Sequence, residues 1–277
     1  MDVFSDKLNL FKLIIKQDEE DVEAAEVFVD GLIGGNHYRF LLDTGAARTC
    51  IEFDDYTSTF DCIEKSNSSG VFAKSSHDLI TIPSIEVGSI SKKNFTLARM
   101  AEKVPNIRNL IGMDLLKDYC CHFFFDENQV SVATNTVADT GYTFQNLFLD
   151  NTFHPYVDIQ FGTLKAKAVW DTGAGITIVD LNFVKEHLAC FREVGQSTGT
   201  DATGFKMATP TFIMTASLIG DKVFPPHKVA GVDLSYVNSS IEVPMDLILG
   251  YSTLSKANWL FDFPRKRWAI SKLLSVE

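Results

Sequence analysis

The sequence predicts an all-β protein made of two similar lobes. The tetrapeptide Asp-Thr-Gly-Ala occurs twice, at residues 43–46 and 171–174, and each copy directly follows a run of apolar residues. Short segments rich in Val, Ile, Leu and Phe alternate with turn residues, whereas the spacing typical of helices is scarce. Because one copy of the tetrapeptide falls in each half of the 277 residues, the chain has the form of a duplicated β unit.

In the first half, residues 8–15, 26–32 and 37–42 have the composition of strands. The sequence Gly34-Gly35-Asn36 separates the last two, so they are expected to form a tight hairpin that leads into Asp43. The second half repeats this pattern: residues 156–161 alternate apolar and polar positions, Gly162-Thr163 turns, and residues 164–170 lead into Asp171. One short helix is predicted, over residues 181–188.

The correspondence continues downstream of each aspartate. Residues 109–112 (Asn-Leu-Ile-Gly) match residues 247–250 (Leu-Ile-Leu-Gly), and Phe-Asp follows in both halves, at 125–126 and 261–262. Closing strands are expected over 129–132 and 267–271. We therefore predict two lobes, residues 1–138 and 139–277, joined by a turn-rich segment.

A third Asp-Thr-Gly, at residues 139–141, lies in this junction. It has no apolar strand before it, since Thr134-Asn135-Thr136 is polar, and no later apolar-apolar-Gly element is left to pair with it. It is interpreted as a linker turn.

Composition and charge restrict the kind of partner. The net charge of −11 argues against nucleic acid, and no apolar stretch is long enough to span a bilayer, so no membrane partner is expected. Much of the acidity lies in residues 18–26, which are expected to form a solvated loop. Five irregularly spaced cysteines and the absence of a visible signal segment favour free thiols and a cytoplasmic location.

The repeated aspartates are the strongest functional signal. Two carboxylates brought together by equivalent strand ends cannot both ionise and must share a proton, which is the chemistry of an aspartic peptidase. Cys120-Cys121-His122 resembles a metal ligand set, but neighbouring strand residues point to opposite faces, so core thiols are expected, with no metal and no cofactor.

With both Asp-Thr-Gly-Ala copies and both later glycine elements, the chain resembles the retropepsin-like aspartic proteases, in a tandem single-chain form. The resemblance implies two small barrel-like lobes, a six-stranded interface of chain ends and a cleft between the lobes. It further implies that Asp43 and Asp171 are catalytic. The loops that support them would contain Thr44, Gly45, Ala46, Thr172, Gly173 and Ala174, with Gly112 and Gly250 packed beside them.

The resemblance implies an endopeptidase that acts as a monomer on a polypeptide with apolar residues at the scissile bond. Flap candidates are the turn-rich stretches around Gly70 and Phe72 and around Gly204 and Phe205. The positions after the tetrapeptides, often acidic in retroviral enzymes, are Ala47-Arg48 and Gly175-Ile176. The alternative is a catalytically retired protease fold that binds peptides or regulates a partner without cutting.

Overall fold

The computed structural model describes residues 9–19, 21–69, 74–103, 107–134, 141–200 and 206–274. The predicted fold class is confirmed: the protein is all-β and two-lobed. Within the described part of the chain, 24 strands form three sheets, one in each lobe and one shared between them.

The first sheet belongs to the N-terminal part of the chain and has eight strands. In sheet order they are β2 (Ile14–Gln17), β3 (Ala25–Ile33), β4 (Asn36–Leu42), β9 (Asn109–Ile111), β5 (Cys50–Ile51), β8 (Ile90–Met100), β7 (Lys74–Val87) and β6 (Glu64–Ser69). An additional pairing of β3 with β7 folds the sheet back on itself. The predicted hairpin joins β3 to β4 through Gly34 and Gly35, whose φ angles of 54° and 87° suit glycine.

The second sheet belongs to the C-terminal part and has ten strands. Its main path runs through β17 (Phe191–Thr200), β18 (Lys206–Met214), β21 (His227–Val232), β16 (Ile178–Asp180), β22 (Leu247–Leu249), β15 (Leu164–Trp170), β14 (Pro155–Phe161), β19 (Ser217–Ile219) and β20 (Lys222–Phe224), and β13 (Phe148–Leu149) pairs with β14. Both lobes place the strand before the aspartate parallel to the later strand that ends at glycine, β4 beside β9 and β15 beside β22.

The third sheet has six strands drawn from both parts of the chain. Its order is β1 (Leu10–Lys12), β11 (Gln129–Ala133), β10 (Cys120–Phe124), β23 (Ala257–Asp262), β24 (Arg267–Leu273) and β12 (Gln145–Asn146). Strands β10 and β23 meet at its centre, where Cys121 pairs with Phe261. This is the six-stranded interface that the family resemblance implies.

Helices are few and short. They are α1 (Met113–Leu116), α2 (Leu181–Glu186), α3 (Ser235–Asn238) and α4 (Tyr251–Leu254), with 3₁₀ turns at Thr57–Thr59 and Leu188–Cys190. The predicted helix over 181–188 is thus present as α2 and ends at Glu186. None of the helices in the described ranges has the length and apolar character needed to cross a membrane.

The predicted strand over 8–15 is wrong as a single element. The chain breaks at the buried Leu13, whose N–H donates to the carbonyl of Asn128 at 2.8 Å. The residues before the break pair with β11 in the shared sheet, and those after it pair with β3 in the N-terminal sheet. One apolar segment therefore serves two sheets.

The expectation of a solvated acidic loop over 18–26 also needs correction. Asp21 lies 2.7 Å from the ammonium of Lys228 in the other lobe, and Glu26 forms an ion pair with Arg108. The backbone N–H of Ala25 donates to the carbonyl of Gly175 at 3.1 Å. Acidic residues in this segment therefore bind basic partners, and the segment connects the lobes.

Aromatic side chains fill the core beneath the junction of the lobes. Trp170 packs against Phe123 with ring centroids 4.7 Å apart and against Phe261 at 4.5 Å, while Trp259 lies between Trp170 and Trp268 at 5.9 Å from each. Such pairs contribute about 0.5–1.5 kcal/mol each beyond their buried area. The loops that carry Asp43 and Asp171 therefore rest on a rigid base.

Candidate active site

Both aspartates lie at the end of a buried strand. The N–H of Asp43 donates to the carbonyl of Ile111, and the N–H of Asp171 donates to the carbonyl of Leu249, both at 2.9 Å. Apolar residues before each aspartate anchor the strand in the core, and the following Thr-Gly turns the chain toward the other lobe. The two aspartate loops therefore meet where the lobes join.

Two threonines hold the loops together across this junction. The hydroxyl of Thr44 donates to the carbonyl of Trp170 at 2.8 Å, and the hydroxyl of Thr172 donates to the carbonyl of Leu42 at 2.6 Å. Each hydroxyl also accepts from the other threonine's backbone N–H, at 3.1 and 3.2 Å. Both threonines are fully buried, so these four bonds fix the relative position of the loops.

The glycines after the threonines allow the carboxyl groups to approach closely. The N–H groups of Gly45 and Gly173 both donate to Oδ1 of Asp171, at 3.1 and 2.8 Å. A Cβ at Gly173 would lie 2.5 Å from Cγ of Asp43, and one at Gly45 would lie 2.6 Å from Oδ2 of Asp171. Any side chain at either position would therefore push the carboxyl groups apart.

The electrostatics of the pair are unequal. Burial raises the pKa of Asp43 well above its usual range, and the neighbouring Asp171 carboxylate raises it further, although N–H groups of Gly45 and Ala46 oppose this. Burial also raises the pKa of Asp171, whose bonds from Gly173, Gly45 and Asp43 favour the ionised form. Burial and the proximity of the two carboxyl groups therefore favour a single proton shared by the pair.

Gly112 packs beside the first aspartate loop. A Cβ there would lie 2.5 Å from the backbone carbon of Arg48 and 2.9 Å from the carbonyl oxygen of Ala46. The N–H of Met113 donates to that same Ala46 carbonyl at 2.8 Å. The missing side chain lets the backbone of α1 support the loop.

Gly250 packs in the same way beside the second loop. A Cβ there would lie 2.3 Å from the carbonyl oxygen of Ile176 and 2.6 Å from that of Ala174, and the N–H of Tyr251 donates to Ala174 at 2.8 Å. The structure thus brings together the two aspartates with all eight of the loop residues that the resemblance implied.

Sequence reasoning missed a further threonine in the first loop. The hydroxyl of Thr49 accepts from the N–H of Gly112 at 3.2 Å and donates to Asp114 at 2.7 Å. Burial raises the pKa of Asp114, while its bonds from the Thr49 hydroxyl and N–H lower it. Thr49 therefore ties the aspartate loop to α1.

The second loop has the equivalent threonine with different partners. The hydroxyl of Thr177 accepts from the N–H of Gly250 at 3.1 Å and lies 2.6 Å from the hydroxyl of Thr253, which is 2.7 Å from Nε2 of His227. Ser252 accepts from the N–H of Thr177 at 3.0 Å. The signal for both threonines was in the sequence, because the repeat is seven residues long, Asp-Thr-Gly-Ala-x-x-Thr.

The flap candidates Gly70, Phe72, Gly204 and Phe205 lie outside the described residues, as do Asp139 and Thr140 of the third Asp-Thr-Gly. The strands on either side of the flap candidates form antiparallel pairs, which end with Ser69 opposite Lys74 and with Thr200 opposite Lys206. The flap assignment stays a prediction.

Cys120 and Cys121 are both buried and belong to different apolar clusters. In the residues that the structure describes, no group of three or more His, Cys, Asp or Glu side chains has the geometry of a metal site. The two thiols have the arrangement expected of core residues on opposite faces of a strand.

Comparison with known families agrees with this geometry for the N-terminal part. Residues 29–118 match the family described as "gag-polyprotein putative aspartyl protease". The match contains the first Asp-Thr-Gly-Ala, Thr49 and Gly112. No curated protein matches the chain. The N-terminal part of this all-β chain is therefore similar to the aspartyl proteases of gag polyproteins.

Proposed function

We propose that this protein is an aspartic endopeptidase that hydrolyses peptide bonds with a dyad of Asp43 and Asp171. The observation that carries the proposal is the close approach of these two carboxyl groups, which equivalent loops of the two lobes bring together, each beside the glycine of the opposite loop. Two carboxyl groups that share one proton provide a general acid and a general base at the same point.

The unequal hydrogen bonding supports a starting state with Asp171 ionised and Asp43 protonated. Asp171 takes a proton from a water molecule as that water attacks the peptide carbonyl carbon, and Asp43 donates its proton to the carbonyl oxygen. The product is a tetrahedral gem-diol. Its collapse breaks the C–N bond: Asp171 gives its proton to the leaving nitrogen, a hydroxyl of the gem-diol returns its proton to Asp43, and the pair again holds one proton.

Apolar clusters beside the aspartate loops, made of nearly buried side chains with partly buried ones packed against them, support a substrate with apolar residues at the scissile bond. In one lobe a cluster separate from the main core contains Cys50, Leu79, Ala98 and Met100. In the other, Ala174 of the aspartate loop packs against a cluster that contains Met245 and Ile248. An extended peptide bound by strand addition would present alternate side chains to such surfaces.

We also propose that one chain is sufficient for activity, because both aspartates belong to it, and that the enzyme acts on polypeptides in the cytoplasm, without nucleic acid or membrane. None of the five cysteines, all of which lie in the described ranges, forms a disulfide, which is the usual state of thiols in a reducing compartment.

The decisive experiment compares two ligands with identical side chains, a ground-state peptide and an analogue with a hydroxyl-bearing tetrahedral carbon at the scissile position. An enzyme binds the analogue much more tightly, since catalysis is preferential binding of the transition state. Calorimetry at mildly acidic pH measures both affinities, and mass spectrometry detects cleaved peptide. Equal affinities without any product, in a folded sample, would instead favour the catalytically retired peptide-binding module.

A further inference from the structure

A compact polar cluster precedes β14 and is built around Asp150, whose side chain is fully buried. Oδ1 of Asp150 accepts from the N–H of Thr152 at 2.9 Å, from its hydroxyl at 2.8 Å and from the N–H of His154 at 2.9 Å. Oδ2 lies 2.7 Å from Nδ1 of His154. Burial would raise the pKa of Asp150, but the bonds from His154 and Thr152 lower it to about 2, so the carboxylate is ionised.

This arrangement fixes the orientation of the His154 imidazole. An ionised carboxylate only accepts, so Nδ1 carries the hydrogen in its bond to Asp150. Among the described residues, every hydrogen bond of the ring is made through Nδ1. The side chain keeps 16% of its surface exposed. Nε2 is therefore available to a ligand while the rest of the ring is held.

His154 lies directly before β14, and Asp171 lies directly after β15. Tyr156 pairs with Val169 across the β14–β15 hairpin, and a continuation of this antiparallel register by two residues, past the ends of both strands, would set His154 opposite Asp171. In agreement, the imidazole contributes to lowering the pKa of Asp171. The ring centroid of the adjoining Phe153 lies 4.0 Å from the ammonium of Lys117 in the other lobe. His154 thus lies at the junction of the lobes.

The equivalent position in the other lobe carries an acidic residue. Phe28 pairs with Leu41, and the same continuation sets Glu26 opposite Asp43. Glu26 is engaged by Arg108 and lies 3.8 Å from Lys16. The two lobes therefore differ at equivalent positions, with an imidazole held by Asp150 in one and a carboxylate engaged in ion pairs in the other.

We propose that His154, oriented by Asp150, determines substrate specificity by binding an acidic side chain on one side of the scissile bond. Nε2 would donate to the ligand carboxylate, while the bond between Nδ1 and Asp150 holds the ring in position. This inference rests on the proposed peptidase function, because it assigns a contact within the same cleft.

The test uses pairs of extended peptides with apolar residues at the scissile bond. The two members of a pair differ at one position, which is glutamate in one and glutamine in the other. Separate pairs place this difference at each of the three positions on either side of the bond. Competition between the two members of a pair gives the ratio of their kcat/KM values. We expect the wild type to favour glutamate about tenfold at one position on one side only. In His154→Gln the ratio should fall to about one, because glutamine donates without a positive charge.

Two further variants distinguish an effect of the charge at position 154 from a general effect of substitution on the structure. His154→Arg should keep a preference for glutamate, and Glu26→Gln, altered at the equivalent position of the other lobe, should keep the wild-type ratio. Equal cleavage of both members at every position by the wild type, or a preference that survives in His154→Gln, would overturn the inference.

If no peptide is cleaved, the proposed function fails but the inference remains testable. Each pair then competes with a labelled peptide for binding, and the ratio of affinities replaces the ratio of kcat/KM. A glutamate preference that is lost in His154→Gln would support the role of His154 as a binding residue, and equal binding would exclude it.

Discussion

The backbone N–H of Gly45 donates to the carboxylate of Asp171 across the junction between the lobes, at 3.1 Å. One loop therefore supplies part of the environment of the other loop's aspartate. Each carboxyl group also limits the space available beside the opposite glycine. The hydrogen bonds and packing of each loop are therefore complete only when the other loop is in place.

Asp43→Asn and Asp171→Asn are each expected to reduce kcat by at least about 10²–10⁴-fold, because each removes one carboxyl group from a pair that acts as acid and base. Turnover of a peptide substrate at mildly acidic pH measures this. Asp139→Asn, in the third Asp-Thr-Gly, is the matched control and should retain activity. Substantial activity in either dyad variant would refute the assignment.

The same substitution at Asp43 is expected to stabilise the fold at neutral pH. Burial raises the pKa of Asp43 above its usual 3.8, so the unfolded chain binds fewer protons between the two values and stability falls as pH rises. Asparagine cannot ionise, so it removes the loss of stability that comes from a buried charge at this position. The melting temperature of Asp43→Asn should exceed that of the wild type at pH 7, and the gap should narrow as pH falls toward 4. A difference in melting temperature that is the same at pH 7 and at pH 4 would contradict a role for Asp43 ionisation in stability.

Thr44→Val and Thr172→Val should each destabilise the protein by about 1–3 kcal/mol, since each leaves a buried carbonyl and a buried N–H without their hydroxyl partner. Thermal unfolding measures the effect. Thr44→Ser and Thr172→Ser keep the hydroxyl and should lose less. Valine variants as stable as the serine variants would mean that the hydroxyl bonds add nothing.

Ala46→Ser and Ala174→Ser together should shift the pH–rate profile toward acid. A hydroxyl that donates to the dyad favours its ionised form and so lowers its pKa, and alanine at these positions provides no such hydroxyl. The bell-shaped profile of kcat/KM should move as a whole. No movement, or movement toward alkaline pH, would show that these positions do not face the carboxyl groups.

Specific activity should be constant on dilution. Both aspartates belong to one chain, and the threonine bonds between the loops are internal to it. Sedimentation across the same concentrations should show a single monomeric species. Activity that falls together with dissociation of a dimer would contradict this.

The sequence predicted the elements whose physical cause is local. The glycine pair between β3 and β4, the apolar strands before the aspartates and the glycines at 112 and 250 each follow from short-range patterns. It did not predict the division of residues 8–15 between two sheets, because apolar residues lie on both sides of the break and either part could pair with either sheet. Periodicity identifies a strand but not which strand it pairs with.

The sequence also did not predict polar contacts between residues that are distant in the chain. Charge alone made residues 18–26 resemble a solvated loop, since the basic partner Lys228 lies far along the chain. The bonds of His154 to Asp150 span only four residues, but nothing in their composition indicates that the carboxylate is buried. The sequence did contain the signal for Thr49 and Thr177, because a comparison of the two repeats beyond four residues finds a threonine at the same place in both.

The shared six-stranded sheet affects how the protein is made. Its central strand pair joins residues 120–124 to residues 257–262, and β24 extends to Leu273. Pairings this distant in sequence form late in folding, and domains fold as their strands leave the ribosome. The shared sheet beneath the two aspartate loops therefore cannot be completed on a nascent chain until residue 262 has emerged, so the proposed catalytic pair would be fully supported only near the end of synthesis.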